Sequence, residues 1–285
     1  MHRSIFILYS FLSSGVFIMK EDTVKVLSTN TENKKAVIFD LNGVLVSTSM
    51  MQAARYLGRV KVGAYFLLEG KTPHSLKELL YTVLNEYPLS NSLQLCDPYG
   101  DILPAVFCDV FKGQCTETEC YKDVKNIILA SKSRFSSDRE YALCLKVVDI
   151  LFNPQVLASM QKIKKMTLQI LKECRKKGHE IFIISNYGKE SFELLKSNLP
   201  ELFEEIDPAN IIISAYVQAV KPHKDIYEIL HDRLRAKGIV PSKNTCFVVD
   251  DQEENIDGVN NHNMHGILFK NARDLRTTFK KYKVL

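Results

Sequence analysis

The sequence lacks a Cys-x-x-Cys pair, an internal repeat and a low-complexity linker. Its seven cysteines are an odd number and share no spacing with histidine, so we expect neither a disulfide framework nor a zinc site. Most thiols should instead act as small apolar residues in a reducing compartment. With 46% hydrophobic and 25% charged residues over 285 positions, the composition excludes a disordered or fibrous chain and fits one or two globular domains.

Most of the chain also lacks a net charge. The sequence has 38 basic and 33 acidic residues, and residues 270–285 contain six basic residues and one acidic residue, which accounts for the whole net charge of +5. We therefore expect no nucleic-acid partner, because no global positive field is present. The basic C-terminal segment predicts a solvated helix face, and a segment that binds an acidic surface is the alternative.

The N-terminal apolar stretch, residues 5–19, is too short for a membrane-spanning helix, which needs about 20 apolar residues. It resembles a weak signal peptide, but no small-residue cleavage site follows it before Lys20. Alternatively, Met19 is the true start. We assign residues 1–33 to a leader and expect a cytoplasmic protein without stable membrane association, unless residues 5–19 are a retained anchor.

Short apolar runs alternate with segments of helical spacing from Lys34 onward, which is typical of an α/β domain. Because these runs are apolar almost throughout, they predict strands of a Rossmann-like parallel sheet that helices cover on both faces. The predicted strands are residues 36–40, 180–184, 211–214, 245–250 and 266–269.

A long insertion separates the first two predicted strands. A simple strand-helix-strand unit takes about 30 residues, whereas residues 41–179 lie between these strands. Helical spacing recurs near residues 75–87, 116–130 and 138–151, and it predicts a further long helix at 157–177. We therefore predict an all-helical cap domain at 47–153, inserted into a core formed by residues 34–46 and 154–285.

Polar residues follow the predicted strands, where side chains from several strands would converge. They are Asp40-Leu41-Asn42-Gly43-Val44, Ser185-Asn186, Lys221-Pro222 and Asp250-Asp251 with Asn255. Two apolar strands thus end in an acid, and a carboxylate at the edge of an apolar core must be paired or bind a metal. The order of these motifs predicts a catalytic site at one edge of the sheet.

The motifs resemble those of the haloacid dehalogenase superfamily, many of whose members are magnesium-dependent phosphatases with an aspartate nucleophile. The resemblance rests on AVIFDLNGVLV, IFIISNYG, AVKPHKDIY and CFVVDDQEENIDGVNNHNMHGILF, in that order. The insert after the first motif resembles the helical cap of one branch. The double acid followed by Asn255 is similar to the branch that includes small sugar-phosphate phosphatases and the phosphatase domain of soluble epoxide hydrolases.

This resemblance implies that Asp40 is the nucleophile, which forms an aspartyl-phosphate and so divides one hard displacement into two easier steps. It also implies a Mg²⁺ site formed by Asp40, Asp250, Asp251 and the backbone carbonyl of Asn42. A cation held by oxygen ligands would relieve the repulsion between a carboxylate and a phosphate dianion.

The same resemblance implies that the Ser185 hydroxyl and the side-chain or backbone amide of Asn186 bind the phosphoryl oxygens. Lys221 would bind phosphate and neutralise the charge that develops in the transition state. Asn255 would brace the metal-binding turn from outside the ligand set. The substrate implied is a small phosphorylated metabolite.

Asn42 departs from the family pattern, since most phosphatases of the family carry Asp there to protonate the leaving group and activate water. An amide cannot cycle a proton, and the loss of acid–base assistance typically costs about 10² to 10⁴ in rate. Two alternatives therefore stay open beside the phosphatase. One is a catalytically impaired protein that binds a phosphorylated ligand, and the other is a carbon–halogen hydrolase, which needs no acid at this position.

Overall fold

The computed structural model describes residues 34–58, 62, 65, 72–88, 94–97 and 100–285. Within them the strands are β1 (Ala36–Phe39), β2 (Val46–Thr48), β3 (Gln161–Ile163), β4 (Glu180–Ser185), β5 (Ile211–Ile213), β6 (Cys246–Asp250) and β7 (His265–Leu268). Five of them form a parallel sheet in the order β5-β4-β1-β6-β7. The predicted α/β fold class is confirmed, and each predicted strand end lies within one residue of the observed one.

The helices alternate with these strands and fill the insertion. They are α1 (Met50–Leu57), α2 (Pro73–Leu84), α3 (Ala105–Phe111), α4 (Glu117–Ala130), α5 (Asp138–Phe152), α6 (Pro154–Met160), α7 (Lys165–Lys176), α8 (Lys189–Asn198), α9 (Ser214–Val217), α10 (Lys224–Ala236), α11 (Glu253–Asn261) and α12 (Ala272–Lys281).

The central strand β1 is buried on both faces because its side chains alternate between two apolar cores. Val37 and Phe39 belong to one core, which includes Phe279 of α12. Ile38 belongs to the other, which includes Leu230 of α10. Helices therefore cover both faces of the sheet, and this explains why the strands are apolar throughout.

The insertion has an apolar core of its own, which α2, α3, α4 and α5 form together. Val83, Val106, Val124 and Val148, one from each helix, are fully buried there. The apolar residues of these helices thus pack against one another within the insert and not against the sheet. The exact limits of the predicted cap, 47 and 153, stay a prediction.

The long helix predicted at 157–177 is wrong, because a strand interrupts it. Residues Gln161–Ile163 form β3, which pairs antiparallel with β2 and places Ser47 opposite Lys162. The Lys164 N–H also donates to the Leu45 carbonyl at 2.8 Å. This pairing joins the points where the chain leaves and re-enters the core, and a contact so distant in sequence overrides local helical spacing.

One pair of cysteines departs from the expectation that the chain has no disulfide framework. Cys115 and Cys120 form a disulfide with their Cα atoms 6.3 Å apart. Thr116 caps the N-terminus of α4, so the chain turns sharply there and brings Cys115 back against Cys120 in the first turn of the helix. The other five cysteines are free, and four of them are buried.

The predicted leader, residues 1–33, lies outside the described residues. Within the described part of the chain, no single helix has the length and apolar character needed to cross a membrane. One pair, Asp138–Phe152 with Pro154–Met160, meets both criteria only when it is counted together across an 82° bend.

Candidate active site

The central strand β1 delivers Asp40 to the carboxyl edge of the sheet. The Asp40 N–H donates to the Val249 carbonyl of β6 at 2.9 Å, which fixes the backbone at the strand end. The Asp40 side chain is buried, and the Ser185 side chain at the end of β4 makes a hydrogen bond with its carboxyl group. Since β4, β1 and β6 are parallel neighbours, Ser185, Asp40 and Asp250 end at the same edge.

The turn after Asp40 requires glycine at position 43. Gly43 has a φ of +78°, which L-residues rarely adopt. A Cβ atom at this position would lie 1.8 Å from Asp251 Oδ2. The absence of a side chain therefore allows the Asp251 carboxylate to approach the turn that carries Asp40 and Asn42.

Three carboxylates meet at this edge. Asp40, Asp250 and Asp251 each offer one oxygen, and these oxygens lie within 4.8 Å of one another. Asp40 and Asp250 are buried, whereas Asp251 is exposed. Hard oxygen donors converging at this distance fit a Mg²⁺ ion, which would offset their mutual repulsion. Asn42 lies on the adjoining turn and is exposed, so the use of its backbone carbonyl as a ligand stays a prediction.

Burial disfavours the charged form of two of these acids. It raises the pKa of Asp40 to about 6, because the attraction of Lys221 only partly offsets burial and the nearby Asp250 adds repulsion. Burial and repulsion from Asp250 likewise raise the pKa of Asp251. Both carboxyl groups therefore bind a proton more readily in this site than they would in water.

Lys221 supplies the buried positive charge of the site. Its Nζ lies 2.6 Å from Asp250 Oδ2 and 3.0 Å from Asp40 Oδ1, and its side chain is 3% exposed. Burial alone would lower the pKa of Lys221, but the attraction of Asp250 and then of Asp40 outweighs it and raises the pKa. The lysine is therefore held as an ammonium beside the candidate nucleophile.

The side-chain amide of Asn186 fixes the backbone of Lys221. Its Nδ2 donates to the Lys221 carbonyl at 2.9 Å, and its Oδ1 accepts from the Lys221 N–H at 2.8 Å. Both polar atoms of the amide are engaged in this way. Of the two groups predicted to bind phosphate, the Asn186 backbone amide is therefore favoured over the side chain.

Asn255 braces the turn after β6. Its Nδ2 donates to Asp250 Oδ1 at 2.9 Å, and the Gln252 N–H donates to the same oxygen at 3.0 Å. Together with Lys221, these donors engage both oxygens of Asp250. These contacts leave Asp251 and Asp40 as the less saturated carboxylates, and the role of Asn255 beside a metal site stays a prediction.

Two adjoining cavities lie at this edge of the sheet, and Asp40 lines the smaller one. One, of about 120 Å³, is lined by Asp40, Ser185 and Lys221. The other, of about 300 Å³, lies between the insert and the core, and Leu151 contributes to its lining. The insert residues that line these cavities were not predictable from the sequence, because at helical spacing a lining side chain is indistinguishable from a core one.

The insert and the core contact each other near these cavities, where an acidic side chain of each caps a helix of the other. Glu117 of α4 accepts from the N–H groups of Glu190 and Ser191 at the start of α8, at 3.1 and 2.9 Å. In return, Glu190 accepts from the Thr118 N–H at 2.7 Å. A Cβ on Gly188 would lie 2.0 Å from Glu117 Oε1, so glycine permits the approach. Unpaired N–H groups at two helix starts are thereby satisfied.

Comparison with known proteins identifies one family and one fold. A family model described as haloacid dehalogenase-like hydrolase matches residues 34–263. The structure of a HAD family enzyme from Bacteroides thetaiotaomicron is similar, with a TM-score of 0.53 and 17% identity over 86% of this chain and 98% of that one. The magnesium complex of that enzyme gives a TM-score of 0.52 and 16% identity over 87% and 98%.

A predicted HAD-like family hydrolase from Porphyromonas gingivalis is also similar, with a TM-score of 0.51 and 16% identity over 87% of this chain and 97% of that one. No curated protein matches the chain. At such low identity these likenesses show the fold, and they agree with the sheet and the helical insert observed in this chain.

Proposed function

Since the chain belongs to the haloacid dehalogenase-like hydrolases, we propose that it is a magnesium-dependent phosphatase acting on a small phosphorylated molecule through Asp40. One observation carries the proposal. The Asp40 carboxylate stands at the end of the central strand, 3.0 Å from a buried lysine and beside two further acids. A nucleophile, a fixed cation and a set of oxygen ligands are thus combined in one site.

In the first step Asp40 attacks phosphorus. A bond forms between its carboxylate oxygen and phosphorus, and the ester P–O bond breaks with its electron pair on the leaving oxygen. Water then attacks the aspartyl-phosphate, which releases inorganic phosphate and restores the Asp40 carboxylate. Lys221 and the Ser185 hydroxyl bind the phosphoryl oxygens and stabilise the charge that spreads over them.

Asp40 and Asp251, with Asp250 behind them, are the residues that would hold the cation. Bound Mg²⁺ supplies positive charge that lets a carboxylate approach a phosphate dianion. The carboxylate cluster supports this part of the proposal. So does the similar Bacteroides thetaiotaomicron enzyme, whose structure includes a magnesium complex.

The impaired binder is the second candidate, and Asn42 favours it. An amide beside the nucleophile can orient a leaving group or a water molecule but cannot transfer a proton to or from it. Turnover would then be slow, whereas phosphate recognition by Lys221 and Ser185 would persist. Measured turnover separates this candidate from the phosphatase, because both use the same residues.

Carbon–halogen hydrolysis is a third use of an aspartate nucleophile. A departing halide is an anion, and here it would face the carboxylates of Asp250 and Asp251. The three-acid cluster therefore supports a cation and a phosphate over a halide. Chloride release from 2-chloropropionate in the presence of a chelator would reverse this preference.

The experiment is phosphate release from a panel of phosphate esters, with Mg²⁺ and with a chelator, by the wild-type and Asp40→Asn proteins. We expect release that requires both Mg²⁺ and Asp40. Asp207→Asn is the matched control, because Asp207 binds the Ala209 N–H outside the site and the change is equally isosteric. Equal activity of Asp40→Asn and wild type would contradict the phosphatase.

A further inference from the structure

The larger of the two cavities adjoins the catalytic one. Asn42, Phe111 and Asn186 line both, so the two cavities lie directly on either side of these three residues. Its volume of about 300 Å³ is at the lower end of the range for ligand pockets. The larger cavity is therefore the space nearest to a group attached to a phosphoryl unit beside Asp40.

The lining of the larger cavity is mainly apolar. Phe107 and Phe111 of α3, Leu151 of α5, Leu157 of α6 and Tyr187 after β4 contribute to it. The rings of Phe107 and Phe111 lie 6.4 Å apart, so α3 offers two aromatic side chains to the same space. Such a surface favours an apolar ring, because aromatic pairs gain energy beyond the area that they bury.

The charged groups of the cavity argue against a substrate with a second anionic group. Among the described residues that line it, Glu117 is charged and none is cationic. The Glu117 oxygens already accept from the N–H groups of Glu190 and Ser191. A second phosphate or a carboxylate on the leaving group would find no counter-charge among the described lining residues.

Asn42 restricts the leaving group independently. Because Asn42 cannot donate a proton, the leaving oxygen must depart as an anion. A phenol such as that of tyrosine has a pKa of roughly 10, whereas aliphatic alcohols are close to water, at roughly 15.7. Phenolates therefore leave without an acid far more readily than alkoxides do.

From these two observations we propose that the substrate is an aryl phosphate. Its phosphoryl group lies beside Asp40 and its aromatic ring fills the apolar cavity. The inference rests on the proposed phosphatase function. Asp40 forms the bond to phosphorus, the aryl P–O bond breaks, and the aryl oxide leaves with the electron pair and takes a proton from solvent water. Water then hydrolyses the aspartyl-phosphate.

The first test compares phenyl phosphate, acetyl phosphate and glycerol 1-phosphate with the wild-type protein and Mg²⁺. Acetate is a better leaving group than phenolate but carries no ring, so acetyl phosphate separates leaving-group chemistry from ring binding. We expect kcat/KM for phenyl phosphate to exceed that for acetyl phosphate by about tenfold. It should exceed that for glycerol 1-phosphate by about 10² or more.

The second test replaces Leu151, which is 38% exposed and lines the cavity, with Gln. The matched control is Leu129→Gln, which alters another exposed leucine of the helical insert, 52% exposed and outside the lining. Leu151→Gln should lower kcat/KM for phenyl phosphate about tenfold and change that for acetyl phosphate less than about twofold. Leu129→Gln should change neither value.

The outcomes separate the two proposals. If acetyl phosphate is hydrolysed through Asp40 but phenyl phosphate shows no advantage, the phosphatase stands and the aryl substrate is overturned. A parallel loss for both esters in Leu151→Gln also overturns it. If the panel shows no hydrolysis that depends on Asp40, the proposed function itself is overturned, and the aryl substrate with it.

Discussion

Lys221 Nζ lies 2.6 Å from Asp250 Oδ2, and the two side chains are 3% and 1% exposed. This buried ion pair places a fixed positive charge beside the Asp40 carboxylate. Asn186 holds the lysine backbone from the other side through both atoms of its amide. The position of the ammonium is thus fixed before any substrate binds, which is the arrangement that stabilises developing charge most effectively.

Replacing Lys221 with Met should leave Asp40 and Asp250 buried without their cation. We expect the free energy of unfolding to fall by about 3–5 kcal/mol, because one partner of a buried pair is lost. We also expect kcat for phenyl phosphate to fall by about 10² to 10³. Urea denaturation and phosphate release measure the two effects.

Lys237→Met is the control for this change, since Lys237 pairs with Asp207 at the surface. It should leave both the urea midpoint and kcat close to wild type. A Lys221→Met protein with wild-type kcat would contradict the role assigned to the ammonium.

Gly43→Ala should weaken the cation site specifically. The added Cβ would lie 1.8 Å from Asp251 Oδ2, so the carboxylate must move away from Asp40. Gly178→Ala is a close control, because Gly178 has a similar φ of +85° but nothing within 4 Å of the added atom. Both variants should lose about 1–2 kcal/mol from backbone strain. Only Gly43→Ala should lower the Mg²⁺ affinity, by roughly tenfold, as measured by calorimetric titration.

Asn42→Asp should introduce the missing acid. The gain should depend on the leaving group, because a good leaving group needs no proton. We expect kcat/KM for glycerol 1-phosphate, which reports the first step, to rise by about 10² to 10⁴ and kcat/KM for phenyl phosphate to rise far less. In the wild type, Asn42 also cannot activate the water that attacks the intermediate, so rapid mixing should show a burst of phenol. Equal gains for both esters would indicate that Asn42 does not face the leaving group.

The sheet and the candidate site were predictable from the sequence because both depend on local patterns. A strand buried on two faces, such as β1, must be apolar throughout, and Asp40 marks the point where this run stops. Asp250 marks the same point in β6. Parallel neighbouring strands then bring the two acids together without further information.

Features that depend on contacts between distant segments were not predictable in this way. The pairing of β2 with β3 joins Ser47 to Lys162 and breaks a run whose spacing favours a helix. The apolar cavity combines Phe111 of the insert with Asn42 of the core. Neither residue carries a local signal of the other, so Asp40 was predictable from the sequence but the cavity near it was not.

His179 should make the stability of the core depend on pH. Its Nδ1 accepts from the Lys35 N–H at 3.4 Å, and its Nε2 lies 3.0 Å from the Val284 carbonyl, so the neutral ring joins the residue before β1 to the C-terminal segment. Burial lowers the pKa of His179 below its usual value of 6.5, although the Val284 carbonyl opposes the shift. The unfolded chain therefore binds a proton at a higher pH than the folded protein does.

The contribution of His179 to the free energy of unfolding should accordingly be constant above about pH 6.5. At lower pH it should decrease, by at most about 1.4 kcal/mol per pH unit, because a single proton is involved. His179→Gln should be less stable than wild type at pH 8, because it loses the bonds to Lys35 and Val284, but its stability should fall less steeply between pH 6.5 and 5. Urea denaturation across this range measures both slopes. His74→Gln, which removes an exposed histidine, is the control and should keep the wild-type slope. An unchanged slope in His179→Gln would contradict a buried neutral ring.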